Sequence, residues 1–138
     1  MIQAERSIGE EIKCVEATRA ISGAATTYNS PAYVDRLGYN SAVLVVTAGA
    51  ATGTPDSFTV NAKVQEEDVS SAGSLVDITG AAITQMTAAG KATIAFSLRP
   101  QKRYLNVALT VTMVNGSSPK VPVSAVLVLG GAVVVPAA

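Results

Sequence analysis

The sequence contains no histidine and no tryptophan, and it has a single cysteine. Histidine is the side chain that most often carries protons near neutral pH, so its absence argues against most general acid–base mechanisms. One cysteine, Cys14, excludes an intramolecular disulfide framework, and without histidine the usual zinc sites are excluded as well. We therefore expect a protein that is not an enzyme and uses no metal or other cofactor, with Cys14 packed in a strand as a small apolar residue.

Charge is also scarce. Ten basic residues balance ten acidic ones, and charged residues make up 14% of the chain, against roughly 25% in an average soluble domain. The mean hydropathy is +0.37 although aromatic residues contribute only 4%. A chain of 138 residues is long enough for one domain with a sizeable core, but a single copy would expose an unusually apolar surface. This composition predicts burial against other chains, and therefore a homo-oligomer.

Two segments bear on targeting and membranes. The N-terminal "MIQAERSIGEEIK" mixes charges and has no apolar stretch, so it does not have the pattern of a secretory signal, and we expect synthesis in the cytoplasm. Residues 121–138 carry no charge. The length of this uncharged segment is close to the lower limit for a spanning helix. Pro122, Gly130, Gly131 and Pro136 interrupt this segment, so we predict strand structure and no membrane partner.

Alternation of apolar and polar residues predicts most of the fold. Residues 105–113 and 121–129 alternate on either side of a turn-forming Asn115-Gly116 pair, which is typical of a β-hairpin. Further strands are predicted at 41–48, where the run is apolar on both faces, and at 58–65, 75–79 and 93–98, with 80–91 as a candidate crossing between sheets. The resulting fold class is all-β: an antiparallel β-sandwich, jelly-roll-like, of seven or eight strands, or a compact barrel. Residues 1–30 are predicted as a partly extended N-terminal arm, and residues 31–138 as the sandwich domain with an apolar C-terminal tail.

Two polar clusters are candidates for chemistry or binding. Glu66, Glu67 and Asp68 lack the ligand pattern of a Ca²⁺ loop, so a solvated turn is predicted there. Arg99, Lys102 and Arg103 beside Tyr104 form the most cationic site. This site is compatible with a polar strand start, with an arginine that pairs with a carboxylate on a neighbouring chain, or with nucleic-acid binding. One tyrosine and three cations are too few for the last alternative, so no nucleic-acid partner is predicted.

The C-terminal tail contains three adjacent valines, Val133, Val134 and Val135, between a Gly-Gly pair and a proline. Exposed to water, they would form an aggregation-prone edge. They either form the last strand of their own sheet or dock on a neighbouring subunit.

Three stretches, "YVDRLGYNSAVLVVTAG", "FTVNAKVQEEDVSSAGSLVDITGA" and "RPQKRYLNVALTVTMVNGSSPKVPVSAVLVLGG", resemble a known family in their order and turns. Over about residues 32–131 the chain is similar to the capsid decoration, or cement, proteins of tailed double-stranded DNA bacteriophages. The most recognisable pieces are Asp35-Arg36 before a strand of small residues, the acidic turn "QEEDVSSAGS", and Arg103-Tyr104 before the final pair of strands.

The resemblance implies a β-rich structural protein, often a homotrimer, that binds the major capsid protein on the outside of the virion. Such proteins bind where capsomers meet and stabilise the shell against internal DNA pressure. The residues predicted to contact the capsid or sister subunits are Arg36, Arg99, Arg103, Tyr104, Val133, Val134 and Val135. Alternatives are another virion component (neck, tail or head-fibre base), a ligand- or carbohydrate-binding module, and a pilus-like surface subunit. The shortage of aromatic rings argues against carbohydrate binding.

Overall fold

A computed structural model describes residues 13–22, 26–29, 33–69 and 74–131, and these residues form two packed antiparallel sheets. The strands are β1 Lys13–Ser22, β2 Thr26–Asn29, β3 Val34–Asp35, β4 Ser41–Ala48, β5 Ser57–Glu67, β6 Val76–Ala82, β7 Gly90–Ser97, β8 Tyr104–Val114 and β9 Val121–Gly130. Sheet A has the order β1-β9-β4-β7, and sheet B has the order β2-β8-β5-β6 with β3 also paired to β8. The fold is therefore a β-sandwich, as predicted, and the barrel alternative is wrong because the two sheets stay separate.

The core lies between the sheets and is built from the apolar half of each alternating strand. In β4, for example, Leu44 and Val46 are buried while Val43 and Val45 are half-buried on the opposite face. The expectation that residues 41–48 are buried on both faces is thus only partly met. The largest fully buried side chains are Leu44, Leu98, Leu105, Leu109, Leu127, Leu129, Val46, Val60, Val64, Val107, Val111 and Val121. All twelve are Leu or Val, so aliphatic side chains fill most of the core, which also includes the buried Tyr39.

The predicted hairpin of β8 and β9 is wrong, although both strands are present. β8 pairs with β5 and β2 in sheet B, whereas β9 pairs with β1 and β4 in sheet A. Residues 115–120 therefore cross from one sheet to the other. A turn-forming sequence predicts that the chain reverses, but it does not predict which strand becomes the hydrogen-bonding partner.

The turn 115–120, which we call the second crossing, packs against the first crossing, residues 49–56, which connects β4 to β5. Thr52 and Lys120 exchange backbone hydrogen bonds of 2.8 and 3.1 Å, and the Ser117 amide donates to the Gly53 carbonyl at 2.8 Å. Gly53 has a φ of +80°, and a Cβ placed there would lie 2.5 Å from the Ser117 carbonyl oxygen. Asn115 adds a side-chain hydrogen bond to Asp56. Two loops that are distant in sequence thus close one end of the sandwich together.

The segment that links β6 to β7 also crosses between the sheets, as predicted for residues 80–91. Met86 in this segment exchanges backbone hydrogen bonds with Val60 of β5 at 2.8 and 2.9 Å.

The described part of the predicted arm belongs to the sheets. β1 pairs along its whole length with β9, with one register shift between Glu16 and Thr18, and β2 pairs with β8. The division of the chain at residue 30 remains a prediction.

Candidate interaction surface

One end of the sandwich gathers a large share of the charged residues, and we call this region the charged corner. The charged corner comprises Asp35, Arg36, Glu66, Glu67, Asp68, Arg99, Lys102 and Arg103. These are eight of the twenty charged residues of the chain, and acids and bases are equal in number. Three segments meet here because β3 and the end of β5 both pair with the beginning of β8, which the loop 98–103 precedes. The corner therefore has no net charge but many alternating charges, which suits specific recognition more than bulk attraction.

Arg36 holds the loop 98–103 against β3. Its Nε donates to the Lys102 carbonyl at 3.2 Å, its Nη2 donates to the Gln101 carbonyl, and its backbone amide donates to the Arg103 carbonyl at 3.0 Å. A planar guanidinium that bonds two successive carbonyls fixes the backbone between them. Arg36, predicted as a contact residue, thus positions the other predicted residues.

Arg103 forms a two-pronged ion pair with Asp35. Nε lies 3.0 Å from Oδ1 and Nη2 lies 2.8 Å from Oδ2, with both side chains about half exposed. The hydrogen bond that the Arg103 guanidinium donates to Asp35 raises the pKa of this guanidinium above its ordinary value. The guanidinium carbon also lies 5.2 Å from the centroid of the Tyr104 ring, within cation–π distance. The sequence left open whether an arginine of this site pairs with a carboxylate on a neighbouring chain. In the structure Arg103 pairs with Asp35 of the same chain.

The acidic segment is not a solvated turn, so that prediction is wrong for two of its three residues. Glu66 and Glu67 belong to β5, and the Glu66 carboxylate accepts a hydrogen bond from the Lys102 amide at 2.9 Å. Glu67 is buried, with Oε1 bonded to the Asp68 amide and Oε2 without a partner within the described structure. Only Asp68 is exposed, 3.4 Å from the Lys102 ammonium. The apolar alternation stops at Val64, whereas the pairing of β5 with β8 continues to Glu67, which is opposite Tyr104. The strand predicted at 58–65 therefore ended two residues too early.

Arg99 is the cation of the corner that faces solvent. Its backbone amide donates to the Ser97 hydroxyl at 3.3 Å, and its guanidinium makes no ion pair with the residues that the structure describes. Leu37, 63% exposed, follows Arg36 in the adjoining turn. The structure thus brings Arg36, Arg99, Arg103 and Tyr104 to one end of the molecule. Val133, Val134 and Val135 lie outside the described residues.

Sequence inspection missed two contributors to this corner: Asp35 as the partner of Arg103, and Glu66 as an acceptor for the loop. Asp35 is the last residue of the short strand β3. Its partner is 68 residues away, so only strand pairing could reveal the contact.

The outer face of sheet B holds a shallow groove of about 360 Å³. Asn61, Lys63 and Thr110 supply its polar groups, and Ala82, Ile83 and Ala108 its apolar ones. Among the residues that the structure describes, no aromatic ring lines it, and stacking on such rings is how sugar faces are usually bound. The groove therefore lends no support to a carbohydrate-binding module.

Within the described ranges, no group of three or more His, Cys, Asp or Glu residues could hold a metal ion. No helix within those ranges is long and apolar enough to cross a bilayer.

Comparison with known proteins yields likeness of fold only. No family model and no curated protein matches the sequence. The crystal structure of the PBSX exported protein XepA matches with a TM-score of 0.59 and 16% identity over 94% of this chain. The structure of infectious bursal disease virus, Gx strain, matches with a TM-score of 0.51 and 9% identity over 86% of this chain. This chain spans 40% and 31% of those two chains, respectively, so it is similar in fold to one part of each.

Proposed function

We propose that this protein is a structural virion component that binds the outer surface of a phage capsid and stabilises the shell where capsomers meet. Its partner would be the major capsid protein, and it would act in several copies, without catalysis or cofactor. It would be made in the host cytoplasm and reside on the exterior of the virion. The sequence resemblance to decoration proteins is the origin of this proposal. The fold likeness to a PBSX exported protein and to a virus structure supports the broader class of β-sandwich virion proteins.

The observation that carries the proposal is the rigidity of the charged corner. Arg36 bonds the Gln101 and Lys102 carbonyls, so the backbone that carries Arg99 and the Asp35–Arg103 pair is fixed before any partner arrives. A preorganised contact surface loses little conformational entropy on binding. Many modest contacts of this kind, repeated over a shell, add up through avidity.

The test is to add the purified protein to undecorated capsids and to measure binding and resistance to heat. We expect saturable binding and a raised temperature of shell disruption. Arg99→Ala should weaken binding by about tenfold, as expected for loss of one charged contact. Lys91→Ala is the matched control, because Lys91 is an exposed cation on β7 of sheet A, away from the loop 98–103. Absence of saturable binding, or equal effects of the two variants, would contradict the proposal.

A neck, tail or head-fibre base protein is the alternative within the same class. The likeness of fold is equally compatible with it. The copy number in purified virions separates the two, since a decoration protein is present in many copies and a neck or tail ring in few.

A further inference from the structure

The second crossing begins with Asn115-Gly116, the one place in the sequence where glycine follows asparagine. The other asparagines, each followed by a residue with a side chain, are Asn29, Asn40, Asn61 and Asn106. Asparagine is chemically labile because the nitrogen of the next peptide group can attack its side-chain amide. A glycine in the next position leaves that nitrogen open to approach, since glycine has no Cβ. The sequence therefore makes Asn115 the most reactive asparagine of the chain.

The structure leaves both reacting groups accessible. Asn115 and Gly116 are exposed, and the Gly116 amide donates no hydrogen bond to any residue that the structure describes. By contrast, Asn40, Asn61 and Asn106 are followed by residues of β4, β5 and β8. Backbone amides within strands belong to the sheet ladder, which restricts their movement. The peptide nitrogen after Asn115 is therefore available for reaction, whereas those after the other three are held in the sheets.

Packing of the two crossings requires the glycine. A Cβ at position 116 would lie 2.7 Å from the Gly53 carbonyl oxygen and 3.0 Å from the Pro55 backbone. Hydrogen bonds hold this contact on both sides. The Asp56 amide donates to the Val114 carbonyl at 2.9 Å, and the Ser117 amide donates to the Gly53 carbonyl at 2.8 Å. The close approach that shuts this end of the sandwich therefore also places a glycine directly after the asparagine.

The side chain of Asn115 joins the two crossings. Its Nδ2 donates a hydrogen bond of 2.6 Å to Oδ2 of Asp56, which belongs to the first crossing. Conversion of this amide to a carboxylate would remove the donor and place two negative charges side by side, which is a repulsive arrangement. Asn115 is thus a position where one small chemical change turns an attraction into a repulsion.

We propose that Asn115 is a site of spontaneous deamidation and that this modification unlocks the two crossings. The Gly116 nitrogen gives up its proton to water and attacks Cγ of Asn115, forming a new N–Cγ bond. The Cγ–Nδ2 bond then breaks, and Nδ2 leaves as ammonia after taking a proton from water. Water opens the resulting cyclic imide at Cγ, which yields aspartate, or at the main-chain carbonyl carbon, which yields isoaspartate. The net reaction consumes water and releases ammonia, with no change of oxidation state.

Both products oppose the packing of the crossings. Aspartate at position 115 faces the carboxylate of Asp56. Isoaspartate also adds a methylene group to the main chain just before Gly116, whose backbone already lies against Gly53. The added length displaces the Ser117 amide from the Gly53 carbonyl. This end of the sandwich is opposite the charged corner, because β5 begins at the crossings and ends at that corner. The chemistry needs only the folded chain and water, so it is independent of the proposed capsid role.

Ageing of the purified full chain in mildly alkaline buffer, well below its unfolding temperature, tests the reaction. Peptide mapping by mass spectrometry locates the exchange of –NH2 for –OH, and electron-transfer fragmentation distinguishes aspartate from isoaspartate. We expect loss of Asn115 while Asn40, Asn61 and Asn106 persist in the same sample. If Asn115 stays intact in the folded chain but reacts in urea, or if the four asparagines react at equal rates, the proposal is overturned.

Substitutions at the two facing positions test the consequence. Asn115→Asp reproduces the aspartate product and should lower the urea midpoint by roughly 0.5 M, because it loses a hydrogen bond and adds a like charge. Asp56→Asn is the matched control, which adds no like charge and should lower the midpoint by less. The double variant exchanges the two groups, so a donor again faces a carboxylate, and it should recover most of the loss. A parental midpoint in Asn115→Asp, or no recovery in the double variant, overturns the proposed unlocking.

Hydrogen exchange locates the loosening in the deamidated protein, which ion exchange separates by its additional negative charge. The amides of Thr52, Ser117 and Lys120 should exchange faster by about tenfold, the factor expected for loss of one hydrogen bond between the crossings. The Arg36 amide is the internal control, because it bonds the Arg103 carbonyl at the opposite end and should exchange as before. Equal acceleration at both ends, or none at the crossings, overturns the proposed unlocking.

Discussion

The packing of the two crossing loops can be tested with two glycines that share a backbone conformation but differ in surroundings. Gly53, in the first crossing, has a φ of +80°, and Gly80, in β6, has a φ of +81°. A Cβ at position 80 would meet nothing within 4 Å. A Cβ at position 53 would lie 2.5 Å from the Ser117 carbonyl oxygen and 2.7 Å from the Pro119 Cα. Alanine at the two sites therefore shares the backbone strain, and only position 53 adds a collision with backbone atoms.

The magnitudes follow from these contacts. A left-handed alanine costs about 1–2 kcal/mol, partly offset by the reduced entropy of the unfolded chain, so Gly80→Ala should cost about 1 kcal/mol. At position 53 the clash must move the second crossing. This movement weakens the Ser117–Gly53 hydrogen bond and the two bonds between Thr52 and Lys120. At about 1 kcal/mol for each hydrogen bond, the total cost of Gly53→Ala should reach about 3–4 kcal/mol.

Equilibrium unfolding in urea measures this difference. A gap of about 2.5 kcal/mol between the variants moves the midpoint by roughly 1 M at an m-value near 2 kcal/mol/M. Both measurements belong at a protein concentration low enough that self-association does not contribute. Equal losses in the two variants would refute the tight packing of the crossing loops. A larger loss in Gly80→Ala would refute the role assigned to the clash.

Two further predictions concern pH and the C-terminal tail. A hydrogen bond from Lys63, and then one from Gln65, lower the pKa of Asp77 below its ordinary value of 3.8. Stability from this carboxylate is thus fully present above pH 3.8 and is lost as the pH falls through the lower folded-state pKa. Urea titrations at several acidic pH values should show a shallower loss in Asp77→Asn, and superimposable curves would argue against this linkage. Deletion of residues 132–138 should weaken capsid binding while urea stability stays unchanged, since β9, the last strand of the described residues, ends at Gly130. Unchanged binding would remove the three valines from the contact surface.

Local patterns were sufficient to predict several strands of the sandwich. The apolar alternation at β5, β8 and β9 matches the buried positions of these strands, because side chains of a strand point alternately to the two faces. The same patterns failed where polar residues continue a strand. Glu66 and Glu67 extend β5 beyond its apolar part through pairing with β8, and such pairing depends on a segment almost forty positions away in the chain.

The charged corner shows the same division. Arg99, Arg103 and Tyr104 are neighbours in sequence, so their grouping was predictable. Arg36 and Asp35 join them only because β3 pairs with β8. The hydrogen bonds from Arg36 to the loop 98–103 and the ion pair of Arg103 with Asp35 are therefore consequences of strand pairing. No spacing of residues in the sequence predicts them.

From sequence alone it followed that the chain is all-β, poor in charge, and without the histidine chemistry on which most enzymes depend, because composition and periodicity are properties of the chain itself. Tertiary structure alone decided that β8 and β9 belong to different sheets, that the two crossing loops interlock at Gly53, and that Asn115 lies beside Asp56. The physical reason is that strand partners are chosen by burial and hydrogen bonding across the whole fold, between residues that the sequence separates.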